Sequence, residues 1–200
     1  NGFDSDDVSV EPVQKDEKFS IAHIGTLVKD RNPEVLWKVL AQLVSKNEAF
    51  RDRLEIKLVG KVDFFVNQQI EQYGLTQFVR KIDYLPHDEV ILEQQRSQVL
   101  LLLVNNTRNA KGILTGEFFE YMSSGCPIVA IGPPYGDIAA IIHTTNSGLI
   151  SGFDDELQLE HNLLVFFHGT VAQRNESEIA KYSRRELTQR LVETLNKLVH

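Results

Sequence analysis

The 200-residue sequence contains one cysteine, one methionine and one tryptophan. A lone thiol, Cys126, excludes an internal disulfide framework, fits a reducing compartment and reads as a small core hydrophobe. No apolar run approaches the roughly 18–20 residues that cross a bilayer, and no basic-then-apolar leader opens the chain. The six histidines are scattered, with no H-x-x-x-H pair and no cysteine partner, so no metal site is expected. Neither a G-x-S-x-G elbow nor a G-x-x-x-x-G-K-[ST] phosphate loop occurs. Gly25-Thr26-Leu27-Val28 lacks the second and third glycines of a dinucleotide fingerprint, which argues against tight dinucleotide binding. A basic stripe is also missing from a chain of formal charge −7, so nucleic acid is not an expected partner.

The acids are concentrated at one end. Residues 1–18 hold six of them (Asp4, Asp6, Asp7, Glu11, Asp16 and Glu17) against Lys15 and Lys18, a net −4 of the total −7. This stretch has no periodicity and is expected to be a linker or arm. The chain opens on Asn1-Gly2-Phe3-Asp4 rather than on Met, which reads as the interior of a longer protein. The rest, at 42% hydrophobic and 24% charged over the whole sequence, has the make-up of one globular domain, expected over residues 19–200.

Apolar strands and amphipathic helices alternate along that domain. Residues 19–24 form a buried-strand candidate ending at Gly25. Asn32-Pro33 predicts a helix start, with Asn as cap and Pro at the first helical position, followed by Val35, Leu36, Val39, Leu40 and Leu43 on one face. Strands are predicted over 54–59, 79–82, 99–104, 127–131 and 148–150, and helices over 64–73, 87–95, 117–124 and 137–144. The run 99–104 is apolar throughout, as a parallel strand covered on both faces should be. Ser183-Arg184-Arg185-Glu186 is a capping box that opens a long helix with Leu187, Leu191, Leu195 and Leu198 on one stripe. The pattern predicts an α/β fold with a doubly wound parallel sheet, Rossmann-like in kind.

Ligands of such sheets bind outside the carboxyl ends of the strands, and three loops fall there. The first, 25–32, offers Gly25 for close backbone approach and the cations Lys29 and Arg31 before a helix, which suits a phosphate; solvated surface charge is the plainer reading. In the second, Lys111-Gly112-Ile113-Leu114-Thr115-Gly116 leads into Glu117-Phe118-Phe119-Glu120-Tyr121-Met122. Backbone amides and the Thr115 hydroxyl could cradle an anion, and Glu120 could accept two hydrogen bonds from a ribose diol. Alternatively Glu117 and Glu120 complement the helix dipole. Phe118, Phe119 and Met122 read as core. The third, Ile82-Asp83-Tyr84-Leu85-Pro86, could flank a base, or Tyr84 and Leu85 could be packing residues.

The segment KGILTGEFFEYMSSGCPIVAI, residues 111–131, resembles the donor-binding stretch of retaining glycosyltransferases of the two-domain GT-B architecture, in the large family 4 group. Asn1-Gly2-Phe3-Asp4 is similar to the motif opening their C-terminal domain. His23-Ile24-Gly25-Thr26-Leu27, with Arg31-Asn32-Pro33-Glu34, resembles their first strand and phosphate loop. Asp83-Tyr84-Leu85-Pro86-His87-Asp88-Glu89-Val90 resembles their strand-to-helix segment near the base. The likeness runs through nearly the whole chain in order. It implies one half of a GT-B enzyme that binds a nucleotide-diphosphate sugar for transfer to a glycan or lipid-linked acceptor. The acceptor domain, and part of the catalytic machinery, would lie in an N-terminal half outside these 200 residues. It further implies that Glu120 binds the donor ribose, that the amides of Thr115 and Gly116 meet the diphosphate, and that Arg31 neutralises it beside Gly25. Thr26, Lys29 and Tyr84 complete the expected donor site. No cofactor or metal is implied beyond the nucleotide sugar, and the expected setting is cytoplasmic, with loose contact at the inner membrane face through the absent half.

Three positions depart from that pattern. The glutamate often found eight residues before the ribose glutamate is Gly112, the arginine often following the loop glycine is Thr26, and the basic residue common after Thr-Gly is Glu117. Subgroups with a Thr-Gly-Lys-x-Phe-Glu-Tyr form also lack the first glutamate. The alternatives to a transferase are half of a sugar-nucleotide 2-epimerase and a non-catalytic interaction domain that keeps the fold.

Overall fold

The computed structural model describes residues 2–4 and 13–199. Among these, the strands are β1 (Phe19–Ile24), β2 (Leu54–Val59), β3 (Val79–Ile82), β4 (Val99–Leu103), β5 (Ile128–Ile131) and β6 (Gly148–Ser151). All pair in parallel, in the order β3-β2-β1-β4-β5-β6. The helices are α1 (Glu34–Lys46), α2 (Glu48–Arg53), α3 (Phe64–Gln72), α4 (His87–Arg96), α5 (Gly116–Ser123), α6 (Asp137–Thr145), α7 (Glu156–Phe167), α8 (Glu176–Ala180) and α9 (Arg184–Val199).

Strand alternation sorts the core into two layers. Phe19 and Ile21 of β1 face a cluster with Leu40 of α1, Phe50 of α2, Val66 of α3 and Leu163 of α7. Ala22 and Ile24 face the opposite cluster, with Phe118 and Met122 of α5, Ile138 of α6 and Ile179 of α8. Every residue of β4 is buried, as expected of a central parallel strand. The result is the Rossmann-like doubly wound sheet, its order reversing between β1 and β4.

The start of α1 differs from expectation. Pro33 is the cap, Glu34 the first helical residue, and a 3-10 turn over Lys29–Arg31 precedes it. The Asn32 side chain is claimed elsewhere: its Oδ1 accepts from Trp37 Nε1 at 2.7 Å, and its Nδ2 donates to Gln69 Oε1 at 2.7 Å. A buried indole N–H needs an acceptor, and that demand outranks a cap worth about 1 kcal/mol. The helices α2, α7 and α8 were not expected. The capping box is present in its main bond, with Ser183 Oγ accepting from the Glu186 amide at 3.3 Å.

Both described ends of the acidic segment touch the domain. Phe3 is buried, bridges Ser183, and accepts from the Arg184 amide at 2.8 Å. Lys15 Nζ donates to the Ser97 carbonyl at 2.9 Å. Asp16 accepts from Lys57 Nζ at 2.5 Å, and so does Glu93 of α4. Lys57 is fully buried in β2, and the two carboxylates pair with its amine there. Asp6, Asp7 and Glu11 lie outside the described residues.

Candidate functional site

β1 and β4 end side by side at the reversal point, and the loops that follow them converge with the start of α5. Gly25 leaves β1 at φ +138, a conformation that favours glycine, and its amide donates to the Val59 carbonyl at 2.9 Å. Gly60 presses against it: a Cβ added there would lie 2.9 Å from the Gly25 oxygen. The loop is therefore tight, with its bare Cα turned toward α5.

α5 is fixed at both ends of its first turns. Thr115 is the cap, its hydroxyl accepting from the Phe118 amide at 3.3 Å, while helix geometry leaves the Gly116 and Glu117 amides without intrahelical partners. One turn further, the buried Tyr121 hydroxyl accepts from the Ile24 amide at 2.9 Å and donates to the Ile24 carbonyl at 3.2 Å. Burial pushes this phenol upward, so it stays a donor. Tyr121 thus ties α5 to the last residue of β1 and sets the distance between the helix start and the Gly25 loop.

Arg31 crosses the reversal point. Its Nε donates to Asn105 Oδ1, just beyond β4, at 2.8 Å, and its Nη1 lies 3.6 Å from Glu117 Oε1. The Glu117 carboxyl is raised, burial being the main cause and Arg31 opposing it. Beneath them His23 is buried in β1 with Nδ1 3.2 Å from the Leu101 carbonyl oxygen, and burial first, then the Arg31 charge, lowers it to about 4. A cleft of ≈ 260 Å³ opens beside Arg31, lined by Pro33, Leu103, Ile131 and Phe153 among others.

The residues singled out from sequence are placed unevenly. Gly25, Arg31 and the Gly116–Glu117 turn come together. Glu120 is exposed one turn into α5 and lines a separate groove of ≈ 320 Å³ with Gly2, Gly116, Arg184, Leu187 and Thr188. Thr26 is exposed beside Gly25. Lys29 turns away, its Nζ 4.4 Å from the Phe65 ring centroid at the start of α3. Tyr84 stands 88% exposed on the loop before α4. Sequence reasoning missed Asn105, Tyr121 and the pairing of Glu117 with Arg31. A polar Asn105 directly after an all-apolar strand was the available signal, because that is where such sheets bind ligands. Tyr121 gave none beyond its place in a core-like helix.

The family described as glycosyl transferases group 1 matches residues 4–185. The chain belongs to this family. Among solved structures similar to this group 1 chain is sucrose-phosphate synthase from Thermosynechococcus elongatus, with TM-score 0.72, 12% identity, and coverage of 99% of this chain and 51% of that one. Anabaena HepE in complex with UDP and glucose gives TM-score 0.71 at 18% identity, covering 98% and 56%. The lipopolysaccharide outer core galactosyltransferase WaaB gives 0.72 at 14%, covering 98% and 54%. At these identities the likeness is one of fold, and the group 1 chain spans about half the length of each structure. Comparison with curated proteins gives no significant match. No described helix is long and apolar enough to cross a membrane. Among the described residues, no group of three or more His, Cys, Asp or Glu side chains is placed to hold a metal ion.

Proposed function

We propose that this domain holds the nucleotide-diphosphate part of a sugar donor. The protein it belongs to would transfer the sugar, with retained anomeric configuration, to a glycan or lipid-linked acceptor held by an N-terminal half outside these residues. The observation that carries the reading is Arg31, fixed by Asn105 at the strand-order reversal beside Gly25 and the start of α5. As the bond from the anomeric carbon to the diphosphate oxygen breaks, negative charge grows on that oxygen. A preorganised guanidinium and the unclaimed Gly116 and Glu117 amides are suited to stabilise it without a metal ion. Thr115 orients those amides as the cap. Glu120 accepts from the ribose diol in its groove, Thr26 extends the polar rim, and the exposed Tyr84 ring flanks the base. The family resemblance is what supports retention, metal independence and a cytoplasmic setting in this reading.

Titration with UDP, ADP and GDP tests the site. At millimolar ligand, amide shifts are expected at Gly25, Arg31 and the first turn of α5 for at least one nucleotide. Glu120→Ala should weaken that nucleotide at least about tenfold, because charge-assisted hydrogen bonds contribute about 1.5–3 kcal/mol. An unchanged affinity in Glu120→Ala would overturn the reading, and so would silence toward all three nucleotides in the wild type and in Glu117→Gln alike. Sugar release by the full-length protein from a panel of donors, with the anomer checked, tests the activity.

A further inference from the structure

We propose that Glu117 is an internal anion seated in the phosphate corner of this site, and that a diphosphate binds by displacing it from Arg31. The inference rests on the donor-site reading above and deepens it. Glu117 Oε1 lies 3.6 Å from Arg31 Nη1, and the same oxygen covers the bare Cα of Gly25, where an added Cβ would sit 2.9 Å away. One carboxylate oxygen therefore fills the space between the guanidinium and the glycine loop, where a phosphate oxygen would lie.

The carboxylate is poorly satisfied there. Its other oxygen, Oε2, is shielded from water and has no hydrogen-bond partner among the described residues. A structural Arg–carboxylate pair is typically a two-bond fork with both oxygens engaged. Here there is a single contact at long range. Burial raises the Glu117 carboxyl despite Arg31, the mark of a charge held where desolvation works against it. What draws it in is the positive corner itself: a helix start and a cation, the two features that attract phosphate. Arg31 does not depend on Glu117 for its position, because its Nε is bonded to Asn105. A ligand that removes Glu117 finds the guanidinium already placed.

The consequence is a site whose affinity for phosphate-bearing ligands is held down by one like charge, while its affinity for the nucleoside is not. UDP, ADP, GDP, their nucleosides and inorganic pyrophosphate are titrated against the 200-residue chain and its Glu117→Gln and Glu117→Ala variants at low salt. Both variants are expected to bind diphosphates about tenfold or more tightly, the scale of one like charge removed from close range in a partly solvated site. The gain should be shared by pyrophosphate, absent for the nucleosides, reduced by salt, and abolished by Arg31→Ala. If the wild-type chain binds a diphosphate and both variants bind it equally or more weakly, the gate is wrong and the donor site stands. If neither wild type nor variants bind any diphosphate, the donor site is rejected and the gate with it.

Discussion

The imidazole of His23 is buried within β1, with Nδ1 3.2 Å from the Leu101 carbonyl oxygen and an Nε2 that has no partner among the described residues. Burial lowers it from 6.5 to about 4, so the folded protein holds a neutral ring at pH values where an unfolded chain would protonate it. The sign follows. Above pH 6.5 both states are neutral and His23 costs nothing. As the pH falls from 6.5 to about 4 the unfolded state gains a proton that the folded state refuses, and stability is lost. Over that window the loss attributable to His23 should be on the order of 3 kcal/mol. Urea unfolding of the wild type and His23→Leu at pH 7 and pH 4 isolates it, because other groups titrate in both proteins. An equal acid loss in the two would show that the buried ring does not carry this dependence.

At the scale of elements, the strands were legible because a parallel sheet buries both faces and leaves short apolar runs, as at 19–24, closed by Gly25, and at 99–104, closed by Asn105. The helices that escaped notice lack a clean stripe. α2 has a single buried residue, Phe50, and α7 buries Leu159, Leu163 and Phe166 but also exposes Leu157. Of the site, Gly25, Arg31 and the α5 start were readable from local chemistry. The Arg31–Asn105 and Arg31–Glu117 contacts were not, because they join loops that only the strand order brings together. Lys57 is the sharpest case: it lies inside a strand whose apolar pattern gives no sign of two buried carboxylates waiting on the same face. Lys57→Met keeps the volume and leaves Asp16 and Glu93, among the described residues, with the half-exposed Arg96, 3.3 and 3.7 Å away, as counter-charge. Breaking such a pair from one side costs about 3–5 kcal/mol, and chemical denaturation at pH 7 should find most of it. Adding Glu93→Gln to Lys57→Met should recover part of the deficit by removing one abandoned charge; no recovery would mean that packing, not charge, is what Lys57 supplies.

Across the whole molecule, the start of the described chain is joined to the beginning of α9. The Phe3 amide donates to the Tyr182 carbonyl at 3.3 Å, its carbonyl accepts from Arg184, and its ring enters the core layer that holds Phe119 and Ile179. Gly2 leaves no room for a side chain, since a Cβ there would run into the Tyr182 backbone carbonyl oxygen. This junction builds one wall of the groove into which Glu120 opens, while the start of α5 builds the other. On the donor-site proposal, this couples stability to ligand binding through Phe3, which is assigned no phosphate or ribose contact. Phe3→Ala should cost about 3 kcal/mol, the lower end for a buried phenylalanine because its backbone bonds remain. It should also weaken nucleotide binding by releasing Gly2 and Arg184 from the groove wall, with no effect on pyrophosphate, which needs only Arg31 and the α5 amides. Urea midpoints give the first quantity and paired titrations of nucleotide and pyrophosphate the second. Equal losses for both ligands would point to general loosening of the sheet rather than to a wall removed from one side of the site.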